Sequence, residues 1–462
     1  METKIKVIFL FSILFMILLA GCNINSGADT KEPTAADTDN EVGEEGKEGE
    51  SGEIEYTYDS SVSGEITFWS WDAMFEDIIK EFNKVYPNVK VELVNMELGE
   101  LHDNLQTTIN AGEGAPDVAH MEQFQIARFQ SEGLLVDVSQ PPYNADRFQD
   151  LFSDYNWTRW QSYDETRQLA LPWDIVPGVF YYRTDIYEQM GFPTDPEELG
   201  EFLQDPENVL TVAQTLSANG IYMYEWRDSP AIQYGDSVGY FDREYNYLRN
   251  DDRMAELLDI VKQGVQLNWA PQMSILYSDE GKQLVNQGKV ASFPAGNNAA
   301  RALEDIFPDQ SGKWSVTRMP LGINVGLGGS TFVIPEQSEN KEAAWAFIEY
   351  ITLAEEAWKI YVEKAVQPGV SHITSLPWFQ EHTNEYLGGI QDYKFYDTLD
   401  EAIPVRKFSP LEGAAWPLYI DKINEAIDKN IDSKTILQQI EDNTLKQLGP
   451  EIEKQLEEMN MN

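Results

Sequence analysis

The order of apolar and polar residues after position 63 predicts a regular succession of strands and helices. Val89, Val91 and Leu93 alternate with polar residues as in a strand, whereas Phe75 and Ile78 begin an apolar pattern with helical spacing. The predicted strands are residues 64–71, 89–93 and 117–121, and the predicted helices between them are residues 75–85 and 98–109. This strand–helix–strand order favours a mainly parallel sheet with helices on both faces.

The pattern continues less regularly to the C-terminus. Residues 169–183 resemble a strand that Pro172 and Pro177 interrupt. Further strands are predicted at residues 290–294 and 325–335, and helices at residues 199–219 in two pieces, 254–267, 281–288, 341–350, 355–363, 418–429 and 434–448. The chain from residue 64 onward is therefore predicted to be α/β and long enough for two domains.

The N-terminal segment has the pattern of an export signal. Lys4 and Lys6 precede an apolar run at residues 7–20 that is too short to span a bilayer comfortably, and Gly21 and Cys22 close it. This pattern predicts a signal peptide at residues 1–21. A retained membrane anchor, or secretion in which the cysteine has no role, is the alternative.

Cys22 is the only cysteine in the chain, so it forms no intramolecular disulfide. The Leu-Ala-Gly-Cys sequence resembles the bacterial lipobox, which implies a diacylglyceryl group on Cys22. The mature protein is then expected on the extracellular face of the cytoplasmic membrane, in a bacterium with a single membrane. Residues 22–63 are rich in Asp, Glu and small residues, a composition that predicts a disordered acidic tether.

The charge of the chain limits the classes of partner. A formal net charge of -46 opposes nucleic-acid binding, which needs a basic surface. The four histidines, at positions 102, 120, 372 and 382, have no zinc-binding spacing and are each expected at the surface. Neither a metal nor a cofactor is expected.

Short segments in a fixed order resemble a known family, the extracellular solute-binding proteins of bacterial ABC importers in the branch that takes up sugars. They are residues 66–71 (ITFWSW), 114–118 (GAPDV), 170–174 (ALPWD) with 181–183 (YYR), 288–293 (GKVASF), and 328–335 (GGSTFVIP) leading into 343–348 (AAWAFI). Each segment is a weak signal alone, but together they span nearly the whole mature chain.

The resemblance implies a two-lobed periplasmic-binding-protein-like (Venus-flytrap) α/β fold of type II. The first lobe is expected to hold residues 64–175 and 325–370, and the second residues 176–324 and 371–462. Crossings between lobes are expected near residues 173–179, near 323–327 and near 369. A monomer would capture a sugar or oligosaccharide by hinge closure and deliver it to a membrane permease.

The expected ligand site begins where the first and third strands end. Trp69 and Trp71 are predicted to share one face of the first strand at its carboxyl end, where open α/β sheets bind ligands, and Glu122 follows the third strand at the same edge. Indole rings suit the C–H faces of sugars, and carboxylates suit the hydroxyls. One of the tryptophans can instead belong to the core, and Asp72 can instead cap the following helix.

Further candidates come from the presumed hinge and from two loops. Trp173 and Asp174 lie in a segment that prolines hold extended, where hinge packing is the other interpretation. Asn297 follows a strand and precedes a helix, while Gly329 and Ser330 match a segment that often faces the cleft in the family. A pool of further aromatic candidates comprises Trp226, Tyr234, Trp269, Trp314 and Trp416.

Other functions remain open at this stage. A surface enzyme that processes polysaccharides would also carry aromatic residues and carboxylates, but 79 acidic residues make any carboxylate pair uninformative. No phosphate-binding loop is present in the sequence. The ligand can also be a peptide, polyol, sugar phosphate or uronate, and the recipient can be a sensor kinase instead of a permease.

Overall fold

The computed structural model describes residues 58–461 and contains two β-sheets. The predicted signal peptide at residues 1–21, the predicted lipidation site Cys22 and most of the predicted tether lie outside the described residues. The strands are β1 (Gly64–Ser70), β2 (Val89–Asn95), β3 (Val118–Glu122), β4 (Leu171–Pro172), β5 (Gly178–Arg183), β6 (Ser292–Gly296), β7 (Trp314–Arg318) and β8 (Ser330–Val333).

The two sheets differ in strand direction. The first has five strands in the order β2-β1-β3-β8-β4, and the second has three in the order β6-β5-β7. β1 is parallel to β2 and β3, whereas β8 is antiparallel to β3 and β4. Both pairings in the second sheet are antiparallel. The expected parallel arrangement thus holds only for β1–β3, because β8 enters from a distant part of the chain instead of through a strand–helix–strand crossover.

Helices cover both sheets. They are α1 (Phe75–Val85), α2 (Leu98–Ala111), α3 (Asp154–Thr158), α4 (Thr184–Met190), α5 (Pro196–Phe202), α6 (Pro206–Ala218), α7 (Ser229–Val238), α8 (Asp252–Gln266), α9 (Asp279–Asn286), α10 (Ala299–Ile306), α11 (Lys341–Leu353), α12 (Glu355–Val362), α13 (Ser371–Thr374), α14 (Pro377–Gln380), α15 (Asp392–Asp400), α16 (Glu412–Lys429) and α17 (Ser433–Met461). Short 3-10 segments lie at Ile126–Phe129, Ala145–Leu151, Pro308–Gln310 and Pro320–Gly322.

The first helix shows how the local sequence sets an element boundary. Its apolar face buries Phe75 and Phe82, and it ends at Val85 just before Pro87. Asp72 does not cap it, since the residue before the helix is Met74. The Asp72 carboxylate instead accepts a 2.8 Å hydrogen bond from the Met74 amide, which shapes the turn between β1 and α1.

The C-terminal helix is longer than its sequence predicted. It was expected at residues 434–448 but runs over Ser433–Met461, through Pro450. Ile452 is 9% exposed and packs in the core of the second lobe, so the apolar face continues beyond the proline. Within residues 58–461, none of the helices combines the length and the apolar character needed to cross a membrane.

Each sheet separates two apolar layers. In the first sheet, Phe68 and Phe332 face a core completed by α1, α11 and α12, while Ala119 and Met121 face a core that includes Trp160. In the second sheet, the side chains of β5 alternate in the same way between two clusters. Each lobe is therefore built as a sheet buried on both faces.

Three chain segments run side by side between the sheets. Residues 173–177 connect β4 with β5, and the Gly178 amide donates a 2.7 Å hydrogen bond to the Val325 carbonyl. On the other side, the Ile175 amide donates to the Gln367 carbonyl at 3.1 Å. These backbone hydrogen bonds tie the segments into one narrow connection between the lobes.

The described chain begins on the first lobe. The ring of Tyr58 packs against Tyr86 and Tyr350, with centroids 5.9 and 5.7 Å away. Ser61 and Asp59 form a local turn through a hydrogen bond from the Ser61 amide. The contacts of the first lobe thus include residues upstream of Gly64.

Candidate ligand-binding site

The ends of β1 and β3 lie next to each other, because Phe68 pairs with Val118 and Trp69 pairs with Ala119. This register brings Trp71, which follows β1, beside His120 on β3. The two rings are stacked, with centroids 3.5 Å apart and an interplanar angle of 9°. Trp71 is half-buried, so His120 covers one face of an indole that remains partly open to solvent.

Hydrogen bonds extend from His120 to the segment that connects the lobes. Its Nδ1 lies 3.1 Å from Ser70 Oγ, and its Nε2 lies 3.0 Å from Ser330 Oγ. Ser330 in turn donates to Asp174 Oδ1 from its hydroxyl, at 3.2 Å, and from its amide. Two of the predicted site residues, Asp174 and Ser330, are therefore in direct contact. We refer to Trp71, His120, Glu122, Asp174 and Ser330 as the sheet-edge site.

Glu122 is a partly buried carboxyl at this edge. Its Oε2 accepts a 2.8 Å hydrogen bond from the Phe124 amide. Burial raises the pKa of Glu122 to about 8, an effect that nearby Arg159 opposes and nearby Asp174 reinforces. Burial also raises the pKa of Asp174 to about 6, against the effects of Arg159 and of the hydrogen bonds from Ser330. The edge therefore holds two carboxyls that titrate above their usual range.

Arg159 organises the backbone behind these carboxyls. Its side chain is buried and donates to the carbonyl of Gly328 at 3.0 Å and to that of Asp174 at 2.5 Å. It also donates to Gln123 Oε1 at 2.7 Å. Gly329 has a φ of +126°, and a Cβ there would lie 2.5 Å from the guanidinium, so only glycine fits without displacing Arg159. The periodic pattern of the sequence did not predict a role for Arg159.

Other predicted site residues lie elsewhere. Trp173 is 1% exposed and packs against Phe75, Phe332 and Trp358, so its indole belongs to the core of the first lobe. Trp69 packs on the other face of the first sheet from Trp173, against the cluster that includes Leu105. The two tryptophans predicted to share one face are thus separated, because Trp71 lies beyond the last paired residue of β1 and its side chain no longer follows the strand alternation.

Asn297 is likewise apart from the sheet-edge site. It follows β6 of the second sheet and is 4% exposed. Its amide donates to the Pro177 carbonyl at 3.1 Å, and its carbonyl accepts from the Tyr181 hydroxyl at 2.7 Å. It lines a separate cavity of about 260 Å³ together with His382 and Tyr396.

The expectation that all four histidines lie at the surface is wrong for His102 and His120. Both are buried, with exposures of 0% and 1%. His102 is accommodated because its Nδ1 lies 2.8 Å from the Leu98 carbonyl and its Nε2 accepts from the Glu122 amide at 3.2 Å. Burial lowers the pKa of His102 to about 4, so it is uncharged at neutral pH.

A second group of aromatic residues lines a cavity of about 260 Å³. We call it the aromatic cavity and define it by Phe124, Tyr240, Phe408 and Trp416. The rings of Phe124 and Phe408 meet edge to face at 5.2 Å. Phe124 lies two residues after the end of β3, whereas Tyr240 and the first turns of α16 pack in the core of the second lobe. Both lobes therefore contribute walls to this cavity.

The charged residues that line the cavity are paired with one another or with their neighbours. Arg406 donates to Glu412 at 2.7 Å and to the backbone carbonyl of Asp236. Arg128 forms a 2.8 Å ion pair with Asp103. The cavity thus offers aromatic faces and carboxylate oxygens, while its two arginines are already engaged within the protein.

The sequence pointed to only one residue of this cavity. Trp416 belonged to the pool of aromatic candidates and is half-buried in the cavity wall, whereas Trp269 and Trp314 of the same pool are core residues. Phe124, Tyr240 and Phe408 were not predicted. They come from segments far apart in the chain, so spacing in a single sequence carries no signal for them.

Comparison with solved structures identifies the class of fold. The chain is similar to the sugar-binding protein MalE from Xanthomonas citri, with a TM-score of 0.68 at 18% identity over 84% of this chain and 98% of the other. It is also similar to the galacto-N-biose-/lacto-N-biose I-binding protein of the ABC transporter from Bifidobacterium longum, with a TM-score of 0.66 at 19% identity over 84% and 98%. The protein therefore has the two-lobed fold of type II periplasmic binding proteins.

Sequence comparison identifies the family. The family described as bacterial extracellular solute-binding protein matches residues 70–358, more than half of the chain. The chain is 28% identical to an arabinooligosaccharide-binding protein of Bacillus subtilis over 320 residues, 64% of this chain and 70% of the relative. It is 23% identical to a lactose-binding protein of Rhizobium radiobacter over 63% of this chain and 71% of the relative. The chain belongs to the bacterial extracellular solute-binding proteins.

Proposed function

We propose that this protein captures an uncharged sugar or oligosaccharide between its lobes, as the solute-binding component of an ABC importer. The observation that carries the proposal is the aromatic cavity, in which four aromatic side chains from both lobes surround about 260 Å³. The sugar-binding names of the relatives support the same ligand class.

The chemistry of the two regions suits a carbohydrate. Stacking against an aromatic face buries the C–H side of a pyranose or furanose ring, and this contact needs no charge on the ligand. Trp71 supplies such a face at the sheet-edge site, and Trp416 supplies one in the aromatic cavity. Asp72, the Glu122 carboxyl and the carboxylates of the cavity then form hydrogen bonds with the hydroxyls.

The pairing of the arginines favours an uncharged ligand over an anionic one. Arg406 already neutralises Glu412, and Arg128 already pairs with Asp103. A uronate or sugar phosphate would have to displace these internal partners and approach the carboxylate of Asp236, at a cost in desolvation and repulsion. Repulsion from Asp236 likewise disfavours the terminal carboxylate of a peptide.

A ligand that touches both lobes shifts the protein toward the closed form. The narrow connection at residues 173–177 and its two neighbouring segments allows the lobes to rotate with few broken contacts. Part of the binding energy is gained only when both lobes contact the ligand. This part determines how far the equilibrium between the open and closed forms shifts. A permease that recognises the closed form then receives loaded protein selectively.

The location follows from the N-terminal sequence. We propose that Cys22 carries the lipid anchor and that the part of residues 22–63 before Tyr58 tethers a monomer on the extracellular face of the cytoplasmic membrane of a single-membrane bacterium, since Tyr58 already packs on the first lobe. Tethering keeps the carrier at high effective concentration near the permease. Replacement of Cys22 by Ala should release the protein into the medium, and retention in the membrane would contradict the anchor.

Titration calorimetry on the mature protein tests the ligand class. The panel contains arabino-, galacto- and malto-oligosaccharides, the matching uronates and sugar phosphates, and short peptides. At least one neutral carbohydrate is expected to bind and to raise the melting temperature, because it binds the folded state alone. If a peptide, sugar phosphate or uronate binds and none of the neutral sugars does, the proposal is refuted.

The enzymatic alternative and the sensor alternative have separate tests. Chromatography of polysaccharides and oligosaccharides after prolonged incubation with the protein should show no new products. Measurement of sugar uptake in cells that lack the protein distinguishes import from sensing. Loss of an importer component abolishes uptake, whereas loss of a pure sensor changes gene expression and leaves uptake by the existing permease unchanged.

A further inference from the structure

His120 has an unusually complete set of partners for a buried histidine. It is 1% exposed on β3, and its ring contacts Trp71 face to face as well as the rings of Phe75 and Phe332. Both ring nitrogens have a hydroxyl within 3.1 Å. A histidine that merely fills the core needs no such alignment between its plane and a half-buried indole.

The direction of each hydrogen bond in this series follows from the acceptor at its end, the Asp174 carboxylate. The carboxylate of Asp174 only accepts, so the Ser330 hydroxyl donates to it and must accept from His120 Nε2–H. His120 Nδ1 is then free to accept from the Ser70 hydroxyl, while the Ser70 oxygen accepts from the Asp72 amide at 3.1 Å. The neutral His120 tautomer with its proton on Nε2 gives each of these groups a hydrogen-bond partner, and the tautomer is assigned from this network. Burial holds the pKa of His120 well below its ordinary value, which keeps the ring in this neutral form.

We propose that His120 is a positioning residue that holds the Trp71 indole flat at the sheet edge and ties it, through Ser330 and Asp174, to the chain segments that connect the lobes. The inference rests on the proposed function and adds to it the group that orients the ligand platform. Ser330 begins the strand that follows one connecting segment, and Asp174 lies in another. The orientation of the platform is thereby linked to the hinge.

The expected benefit is preorganisation. An indole that is free to change rotamer must be ordered when a sugar stacks on it, and that ordering reduces affinity. An indole that is already held by a parallel imidazole avoids most of this loss. Fixing one such side chain is expected to strengthen binding by about three- to tenfold.

A double-mutant cycle tests the proposal on the mature protein with the neutral sugar that binds best in the calorimetric panel. His120→Phe keeps an aromatic ring against Trp71 but removes both hydrogen bonds. It is expected to weaken binding by about three- to tenfold in the wild-type background and by less than about twofold in the Trp71→Ala background. Equal losses in the two backgrounds would show that His120 does not act through Trp71 and would overturn the proposal.

Ser330→Ala provides a second and milder variant, with Ser315→Ala as its control. Both serines are buried, at 5% and 4% exposure, but Ser315 lies on β7 of the second sheet. Ser330→Ala should lower affinity and alter the near-ultraviolet circular dichroism of Trp71, obtained as the difference from the same variant carrying Trp71→Ala. Ser315→Ala should change neither. If Ser330→Ala and Ser315→Ala behave alike, the network has no positioning role.

Failure of the proposed function and failure of the positioning role give different experimental results. If no neutral sugar binds the wild-type protein, the proposed function fails. If sugar binds and Trp416→Ala weakens it while Trp71→Ala leaves the affinity unchanged, the function stands and the positioning role of His120 is refuted.

Discussion

The sheet-edge site and the aromatic cavity present aromatic surface in contrasting ways. At the sheet edge, the Trp71 indole rests on His120, and each polar group around it has a defined hydrogen-bond partner. In the aromatic cavity, Phe124, Phe408 and Trp416 come from separate segments and meet mainly through apolar contacts. The sheet edge is thus continuous with the core of one lobe, whereas the cavity depends on how the two lobes and the segment before α16 come together.

This difference predicts how substitutions divide between stability and affinity. Truncation of the core beneath the sheet edge, as at Trp173, should mainly destabilise the first lobe, whereas truncation of the half-buried Trp416 in the cavity wall should mainly reduce binding. Buried side chains with directed hydrogen bonds tolerate little change, while the half-buried Phe124 and Trp416 in the cavity wall tolerate more.

Trp173→Ala should have the largest effect, because the indole is 1% exposed among Phe75, Phe332 and Trp358. The expected loss is about 3–5 kcal/mol of unfolding free energy, the usual cost of truncating a buried aromatic side chain. Urea denaturation followed by circular dichroism measures it. A variant of unchanged stability that no longer binds sugar would instead place Trp173 in the ligand site and erase the distinction between core and platform.

Trp416→Ala should weaken sugar binding by about ten- to a hundredfold, which corresponds to about 1.4–2.8 kcal/mol. Its stability should change by less than about 1 kcal/mol, because the side chain is only half-buried. Trp378→Ala is the matched control: Trp378 is also half-buried, but it pairs with Glu355 on the first lobe at 3.0 Å. Equal affinities of the two variants would remove the aromatic cavity from the ligand site.

Glu122→Gln should have the smallest effect, visible as a change in the pH dependence of stability. The folded pKa of about 8 lies above the ordinary value of 4.5, so the folded state retains a proton that the unfolded state has lost between these pH values. Stability of the wild type should therefore fall as pH rises through this window, by on the order of 1 kcal/mol from this partly exposed carboxyl. The glutamine variant lacks this contribution.

Urea midpoints at about pH 5 and about pH 8 give the comparison. The wild type should lose more stability between them than Glu122→Gln, and parallel curves would mean that the Glu122 carboxyl has an ordinary pKa. Glu336→Gln, at an exposed position near α11, serves as the control for removing one acidic residue.

The sequence predicted the local elements better than the pairing between distant segments. Strands β1–β3 and helices α1 and α2 lie close to their predicted positions because local periodicity and the nearby Pro87 determine them. The antiparallel course of β8 was not predictable, since it depends on pairing between residues 119–122 and 330–333. The same limit applies to the ligand site.

The sheet-edge residues were found where a strand end and a polar or aromatic residue coincide, as at Trp71 and Glu122. Arg159 and His120 were missed because burial, and not spacing, gives them their roles. The aromatic cavity was missed almost entirely, because Phe124, Tyr240 and Phe408 acquire a common environment only after the lobes have folded and met.

The position of Tyr58 has a mechanical consequence. Its ring is held by Tyr86 and Tyr350, next to the start of β1, and Trp71 lies beyond the other end of that strand, about 20 Å away for seven residues. In the anchored protein proposed above, any pull transmitted along the N-terminal chain is applied to the base of the first lobe. The load would enter the first lobe alone, so the tether would not restrict the hinge rotation proposed above, and Trp71 lies at the end of β1 remote from the tether.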